Sequence, residues 1–450
     1  AAPSRPPAVP LAAARALRLL AALLVLGSAL PAGPVHAEIT GRLQQELAYR
    51  YAAHPALTKG LSFVQLEGSE RVGASGRITA IGRFYYDGVL DHSDPHRISP
   101  ELAPGDPVED HFFGAELKEL YLDWLTESVD LRVGRQIVRW GLLEGARITD
   151  RVNPLDFTEF LFRDVEDRYI PLWMARVNYY PGWGQVQVLM IPDMTFHRPA
   201  PAGSEWEEFQ LPPNTEKPKV SPRDTEWGLL TGWRWGETAL TASYLYTWDD
   251  FPAAFRSVFG VGGQLTGATF DARYKRLQIL GLTASRSIGG FVANFEGAYD
   301  RGKHLATDAG AVPGNEIERD LARWGAGLDA NVSGVDVSVL YFQEHVIGWK
   351  PFIPVERVER AASVLARESF LNNRMDVQFL VLYFHTGHQY VARPRVDYRF
   401  TDLLKLSVGL DVLGGERGSP PDDPASARDF RFVGYFKDHD RVDAVLSYRF

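Results

Sequence analysis

The densest run of charge in the chain follows LRVGRQIVRWG (131–141). After Gly141 come Glu144, Arg147, Asp150, Arg151, Asp156, Glu159, Arg163, Asp164, Glu166, Asp167 and Arg168, with Asn153-Pro154 forcing a turn among them. Carboxylates and guanidiniums set side by side along a lumen filter solutes by charge and size. Catalysis would need a Ser-His or Asp-His constellation. His385 and His388 stand near Tyr383 and Thr386, His304 and His345 are isolated, and no motif ties any of them to a nucleophile. The chain has no cysteine, which excludes a disulfide framework, a zinc-thiolate site and a Cys nucleophile. The reading is therefore of a non-enzyme, with no catalytic residue, metal ligand or cofactor assigned. Net charge is -9 and no basic block stands out, so nucleic acid is not an expected partner.

The elements that must hold these charges are strands. LSVGLDV sets Leu406, Val408, Leu410 and Val412 against Ser407, Gly409 and Asp411. ARPRVDYRF sets Ala392, Pro394, Val396, Tyr398 and Phe400 against Arg393, Arg395, Asp397 and Arg399. The same period of two runs through RMDVQFLVLY, RWGAGLDAN, FVANFEGAYD, WMARVNYY and RVDAVLSYRF. A soluble sandwich would alternate in this way too. Three further features favour a membrane barrel. Residues 1–37 read as a cleaved signal peptide: Arg15 and Arg18, then LLAALLVLGSAL, then Val35-His36-Ala37 as an A-x-A-like site. Tyr, Trp or Phe bound the apolar rows, as in an aromatic girdle. Connections alternate between short ones (127–130, 180–184, 235–238, 287–290, 332–335, 370–373, 401–404) and long polar ones (near 90–113, 143–170, 194–223, 250–262, 301–316, 349–361, 414–438).

The fold expected is all-β: a transmembrane antiparallel β-barrel filling 38–450, of about 18 strands with about 16 the alternative count, each crossing with about 10 tilted residues. Its place is the Gram-negative outer membrane, reached through the periplasm, with the lipid as partner. The stretch 250–287 is ambiguous: FDARYKRLQILGLTASRS reads as one long strand or two short ones. The last strand has to pair with the first, because lipid satisfies no open edge. Tyr448 and Phe450 look like the C-terminal signature of outer-membrane barrels that the insertion machinery reads.

Alternation puts Arg132, Arg176, Arg323, Arg393, Arg395, Asp397 and Arg399 on the pore wall. Arg393, Arg395 and Arg399 share one strand and suggest an anion-favouring ladder. Arg135 is the exception, since simple counting aims it at lipid, where a midplane guanidinium costs roughly 2–4 kcal/mol. A bulge at Gly134 would turn it inward beside Gln136; the other resolution is a strand end above the bilayer, which is the expectation for Arg139. The connection 143–170 is long for a loop. Its Arg147, Asp150, Arg151, Asn153, Asp156 and Glu159 form a candidate constriction, against the plainer reading of a solvated extracellular loop.

VGRQIVRWG with RVNPLDFTEF, ARESFLNNRMDVQFLVLY, ARPRVDYRFTDLLKLSVGLDVLGG and VGYFKDHDRVDAVLSYRF together resemble an uncharacterised family of Gram-negative outer-membrane barrels, named only as a domain of unknown function. The resemblance implies a porin-like channel or transporter that moves small molecules, apolar or anionic, across the outer membrane. It also implies a periplasmic lipoprotein and an RND-type exporter as partners, because members are often encoded beside them. The loops depart from the family, so ligand preference does not carry over. The alternative function is a plugged barrel whose long loops serve adhesion or assembly.

Overall fold

A computed structural model describes residues 38–99, 108–109, 112–208, 211, 215–261, 264–308, 310–417 and 431–450, with the backbone alone for 254–270. The signal-peptide reading of 1–37 lies outside the described residues.

The chain forms β1 (Glu38–Arg50), β2 (Ala56–Val72), β3 (Gly76–Asp87), β4 (Phe113–Leu125), β5 (Val129–Gln136), β6 (Leu172–Tyr179) and β7 (Gly184–Ile191). Then come β8 (Glu226–Trp235), β9 (Thr238–Trp248), β10 (Ala253–Val261), β11 (Gln264–Arg273), β12 (Arg276–Ile288) and β13 (Phe291–Ala306). The remainder is β14 (Glu316–Val332), β15 (Val335–Ile347), β16 (Val358–Phe370), β17 (Met375–Phe384), β18 (Gln389–Arg399), β19 (Leu404–Gly414) and β20 (Arg441–Arg449). Eighteen of these make one antiparallel sheet in chain order, closed by β1 on β20 from Arg42↔Arg449 to Arg50↔Arg441. The remaining pair, β10 and β11, is a separate hairpin between β9 and β12. This resolves the ambiguous stretch: FDAR ends the hairpin, Tyr274-Lys275 breaks the chain, and RLQILGLTASRSI is a wall strand.

Closure is supported by backbone bonds between Gly41 and Phe450, N to O at 2.8 Å and 3.0 Å. The Phe450 ring lies over Gly41 so closely that a Cβ there would stand 2.2 Å from its Cζ. Tyr448 and Phe450 both face outward and are 41% and 49% exposed. Their row continues in the exposed Leu43, Leu47, Val408, Leu410 and Leu446. Apolar side chains point out all round a closed sheet, which is the arrangement that hydrocarbon requires.

The connections follow the alternating plan, with two differences. Tyr51–Pro55 and His385–His388 are short links at the end where the long loops lie. The interior is also not uniformly wet. Leu189, Ile191, Leu230, Leu245, Leu277, Ile279 and Ala298 point into the barrel from β7, β8, β9, β12 and β13 and are buried there. Strands such as QVQVLMI and RLQILGLT are apolar on both faces for this reason, and their alternation is faint in the sequence.

Candidate channel constriction

What covers that apolar sector is the segment between β5 and β6. Val138, Trp140, Leu143, Ala146, Ile148 and Val152 leave the wall, enter the lumen and pack on it. The adjoining wall makes room: β14, next to β13, presents Gly325 and Gly327 inward, and a Cβ on them would come within 2.6 Å of Ile148 and 2.7 Å of Leu143. Glu296 of β13, fully buried, anchors the segment. Its carboxylate accepts from the backbone N–H of Leu142, from those of Leu143 (2.7 Å) and Thr149 (3.1 Å), and from the Thr149 hydroxyl (2.7 Å). A buried carboxylate with that many donors is satisfied, so the dock does not leave an orphan charge.

The predicted loop residues divide into staples and gate. Asn153, fully buried, ties both ends of the segment: its Oδ1 accepts from Val138 N (2.7 Å) and its Nδ2 donates to Gln136 O (3.3 Å) and Ile170 O (2.9 Å). Asp150 accepts from Trp140 N at 3.2 Å and from the Tyr169 hydroxyl at 2.5 Å. Burial and that carboxylate push the Tyr169 phenol up to about 12. Arg147 donates to the carbonyls of Asp150 (2.8 Å) and Asn153 (2.5 Å), and burial, reinforced by nearby Arg151, draws its guanidinium down to about 10. These residues hold the segment rather than face the passage.

The second half of the segment forms the gate. Phe160 and Phe162 pack with Trp206, Val391, Leu413, Val433 and Phe436, so that pieces of three loops and the β18–β19 wall share one aromatic cluster. Phe160 stacks on Trp206 with centroids 5.8 Å apart and planes at 9°. Asp156, 2% exposed, is held by Arg163 and by Arg198 at 3.0 Å. Between this half and the wall of β1–β3 and β18–β20 lies a narrow cleft. On its loop side stand Glu159, Asp164 and Asp167 with Arg163; on its wall side stand Lys59, Arg83, Arg395 and Arg441 with Glu46 and Asp443. Acids predominate on one bank and bases on the other, which sets a field across the passage. Ion pairs span it: Lys59 Nζ reaches Glu159 at 2.6 Å and also pairs with Glu46, while Asp167 is met by Arg83 and by Arg42 at 3.4 Å. Burial alone would raise the Glu159 pKa, but Lys59, Arg163 and Arg441 outweigh it and bring it down to about 2. Arg83 and Lys118 likewise overcome burial and hold Asp167 below the usual carboxylate range.

The predicted wall residues are placed as follows. Arg132 faces the lumen, bound to both oxygens of Asp123 (2.6 and 2.9 Å) with its guanidinium 3.8 Å from the Tyr121 ring centre. Arg176 sits opposite it on β6, and its Nε is buried with no partner among the described residues. Arg323 is buried between Asp300 and Glu344 (2.5 Å each) as a structural triad. Gln136 also faces inward but is sealed under the segment, donating to Met174 O at 3.1 Å, so it lines no water.

Two expectations are corrected. Arg135 is not turned inward, because β5 pairs continuously with β4 and β6 and sets Arg135 beside the outward Trp173. The slip lies on β4, where the β3 partners jump from Glu119 to Leu117 and leave Lys118 extra. Arg135 is tolerated because β5 ends one residue later: its Nε donates to Leu117 O at 2.9 Å and Asp193 lies 4.0 Å away. The β18 ladder is not a row of free cations either. Arg393 pairs with Asp411 (2.7 Å), Arg395 with Asp443 (2.8 Å) and Arg399 with Asp376 (2.6 Å), while Asp397 pairs with Lys405 (3.3 Å). Antiparallel register brings the acids of β17, β19 and β20 within reach of that strand.

Sequence reasoning missed Lys59, Glu46, Arg83 and Arg42 as gate partners, Glu296 as the dock, and Trp206 as the aromatic anchor. Glu296 was legible only as a polar residue on an alternating strand. Nothing local marks the others, whose partners lie on the inserted segment or, for Glu46, on the neighbouring strand β2.

Several solved barrels share this architecture. OccAB2 of Acinetobacter baumannii aligns with 92% of this chain and 98% of its own at TM-score 0.54 and 10% identity. OccAB3 of the same organism covers 92% and 99% at TM-score 0.52 and 10% identity. OccK2 (OpdF) of Pseudomonas aeruginosa, solved in complex with glucuronate, covers 92% and 98% at TM-score 0.53 and 10% identity. At that identity the likeness is one of fold. No curated protein matches the sequence. One family does, over residues 57–325, and it is described as a protein of unknown function, DUF1302. The block at 133–160 falls within that span, whereas those at 366–383, 392–415 and 433–450 lie beyond it. With more than half of its length matched, the chain belongs to the DUF1302 family.

Proposed function

We propose that this barrel is an outer-membrane channel for small molecules, in which the segment between β5 and β6 is the constriction. The observation that carries the reading is the cleft between Glu159, Asp164 and Asp167 on that segment and Lys59, Arg83 and Arg395 on the wall. A passage bordered by opposed charge orients a solute that carries charge or a dipole and offers little to a neutral one. The substrate class is therefore small anions or zwitterions. The glucuronate in the OccK2 structure, a small carboxylate held by a barrel of like fold, supports this class. Arg176, whose Nε lacks a partner among the described residues, stands on the wall as a further anion contact. The outward pair Tyr448 and Phe450 is the handle for the insertion machinery, and a periplasmic lipoprotein with an RND-type exporter is the expected periplasmic partnership. No step of this function calls for catalysis.

Planar-bilayer recording tests the reading. Wild-type protein is expected to give steps of ion current, and K59Q/R83Q to shift the reversal potential toward cation preference. A folded barrel that passes no current would favour the second reading, a plugged scaffold, for which the apolar packing of segment 138–152 inside the lumen speaks.

A further inference from the structure

The outer face of the barrel at the tops of β8, β9 and β12 joins an aromatic row to a strip of positive charge. Trp227 pairs in register with Tyr246, and Trp248 with Arg276. All four point outward, since the alternate residues Leu245 and Leu277 are buried inside. The Arg276 guanidinium lies 4.6 Å from the Tyr246 ring centre and 4.1 Å from that of Trp248. It donates to the carbonyls of Arg223 (3.1 Å) and Thr225 (3.5 Å). The Trp248 indole donates to Asp224 O at 3.0 Å. These bonds fasten the stretch 216–225 along the top of β12.

Its start is fastened to the same place. Glu216 forms a parallel bridge with Arg273, and its N–H donates to Ala272 O at 2.9 Å. Lys217, Lys219 and Arg223, all exposed, lie on this stretch, which is anchored at Arg273 by Glu216 and at Arg276 by the carbonyls of Arg223 and Thr225; Arg273 itself pairs with Glu216 and Asp271. Glu216, Asp224 and Asp271 are the acids of the strip, so basic residues predominate locally in a chain whose net charge is -9. Val220 on the same stretch, 75% exposed, and Trp227 at the start of β8, 46% exposed, add apolar surface.

Aromatic residues at a barrel's rim sit at the depth of the lipid headgroups. Cations placed just beyond them meet whatever charge those headgroups carry, and a guanidinium already fixed by two carbonyls and two rings meets it preorganised. We infer that this strip is a binding site for the phosphate groups of the anionic lipid of the outer leaflet. Arg276 is the fixed contact, and Lys217, Lys219 and Arg223 are the outer arms. The inference needs the barrel to stand in a membrane but does not need it to conduct, so its failure and that of the channel reading are separable.

Native mass spectrometry of the detergent-solubilised barrel is the test, with bisphosphorylated lipid A, its dephosphorylated form and inorganic phosphate as probes. Wild type is expected to retain bisphosphorylated lipid A about tenfold or more better than the dephosphorylated form. K217Q/K219Q/R223Q changes exposed side chains only, so the barrel should stay folded while retention falls by about tenfold or more. R276Q is expected to lower retention as well, with heat-modifiable mobility reporting that the barrel is intact. Equal retention of the two lipids, unchanged retention by the triple variant, or capture of inorganic phosphate in place of lipid would each overturn the site.

Discussion

At the scale of single residues, burial decides which charges work and which merely hold. Glu159 has a folded pKa of about 2, below the ordinary 4.5, so its attraction to Lys59 is complete above the usual carboxylate range and fades as pH falls through about 2. The gate should therefore stay docked from neutral pH down to about 4, and single-channel conductance should rise only on further acidification. Asp250 behaves in the opposite way. Burial raises it to about 7, offset in part by Arg147 and Arg151, with Asp249 adding to the rise, and His197 Nε2 stands 3.7 Å from it. Its protonated form suits the fold, so stability is full at low pH and is lost as pH rises through about 7. Trypsin should cut the loop tier faster at pH 8 than at pH 6, and D250N should abolish the difference. Glu296 makes the third residue-scale case. E296A leaves the N–H groups of Leu142, Leu143 and Thr149 without their acceptor, at about 1–3 kcal/mol for each unsatisfied buried group. The segment should come loose in an intact barrel, seen as noisy, larger current steps.

At the scale of elements, the segment from β5 to β6 is a small core turned inside out. Its apolar residues find no protein on the lipid side and pack on a lumen wall with glycines where they lie. Gly325 and Gly327 supply the space that Ile148 and Leu143 fill. G327V would place its Cβ 2.7 Å from Leu143 Cδ2 and force the segment off the wall, an overpacking cost of about 1–3 kcal/mol. Because β14 pairs through its backbone on both sides, the barrel itself should survive. The expected outcome is larger conductance with unchanged heat-modifiable mobility on a gel; unchanged conductance would mean that this contact does not set the bore.

At the scale of the whole molecule, closure is the controlling event. β1 and β20 join the two ends of the sheet, and the Phe450 ring rests on Gly41, which has no side chain to obstruct it. G41V drives a side chain into that ring, 2.2 Å from Cζ at the Cβ alone. The predicted result is a fall in the folded, heat-modifiable fraction when the protein refolds into detergent or vesicles, while F450L, which keeps an apolar side chain, loses less.

The sequence by itself determined the wall. A period of two with apolar rows facing outward belongs to most strands separately, and lipid leaves a closed sheet as the one way to satisfy every backbone edge, so the barrel and its closure by the last strand were legible, while the choice of 18 strands over 16 came from the sheet itself. Inward orientation was legible for the same reason at Arg132, Arg176, Arg323 and the β18 arginines. Only the tertiary structure decided what those residues do. The β18 row is neutralised because acids one or two strands away in the sheet come within 3 Å of its arginines; Arg135 stays outward because the extra residue lies on its neighbour β4; Glu159 meets Lys59 about a hundred positions away. Alternation fixes the face of a side chain, but a partner across the lumen depends on shear, loop length and packing, and none of these is written in any one stretch of residues.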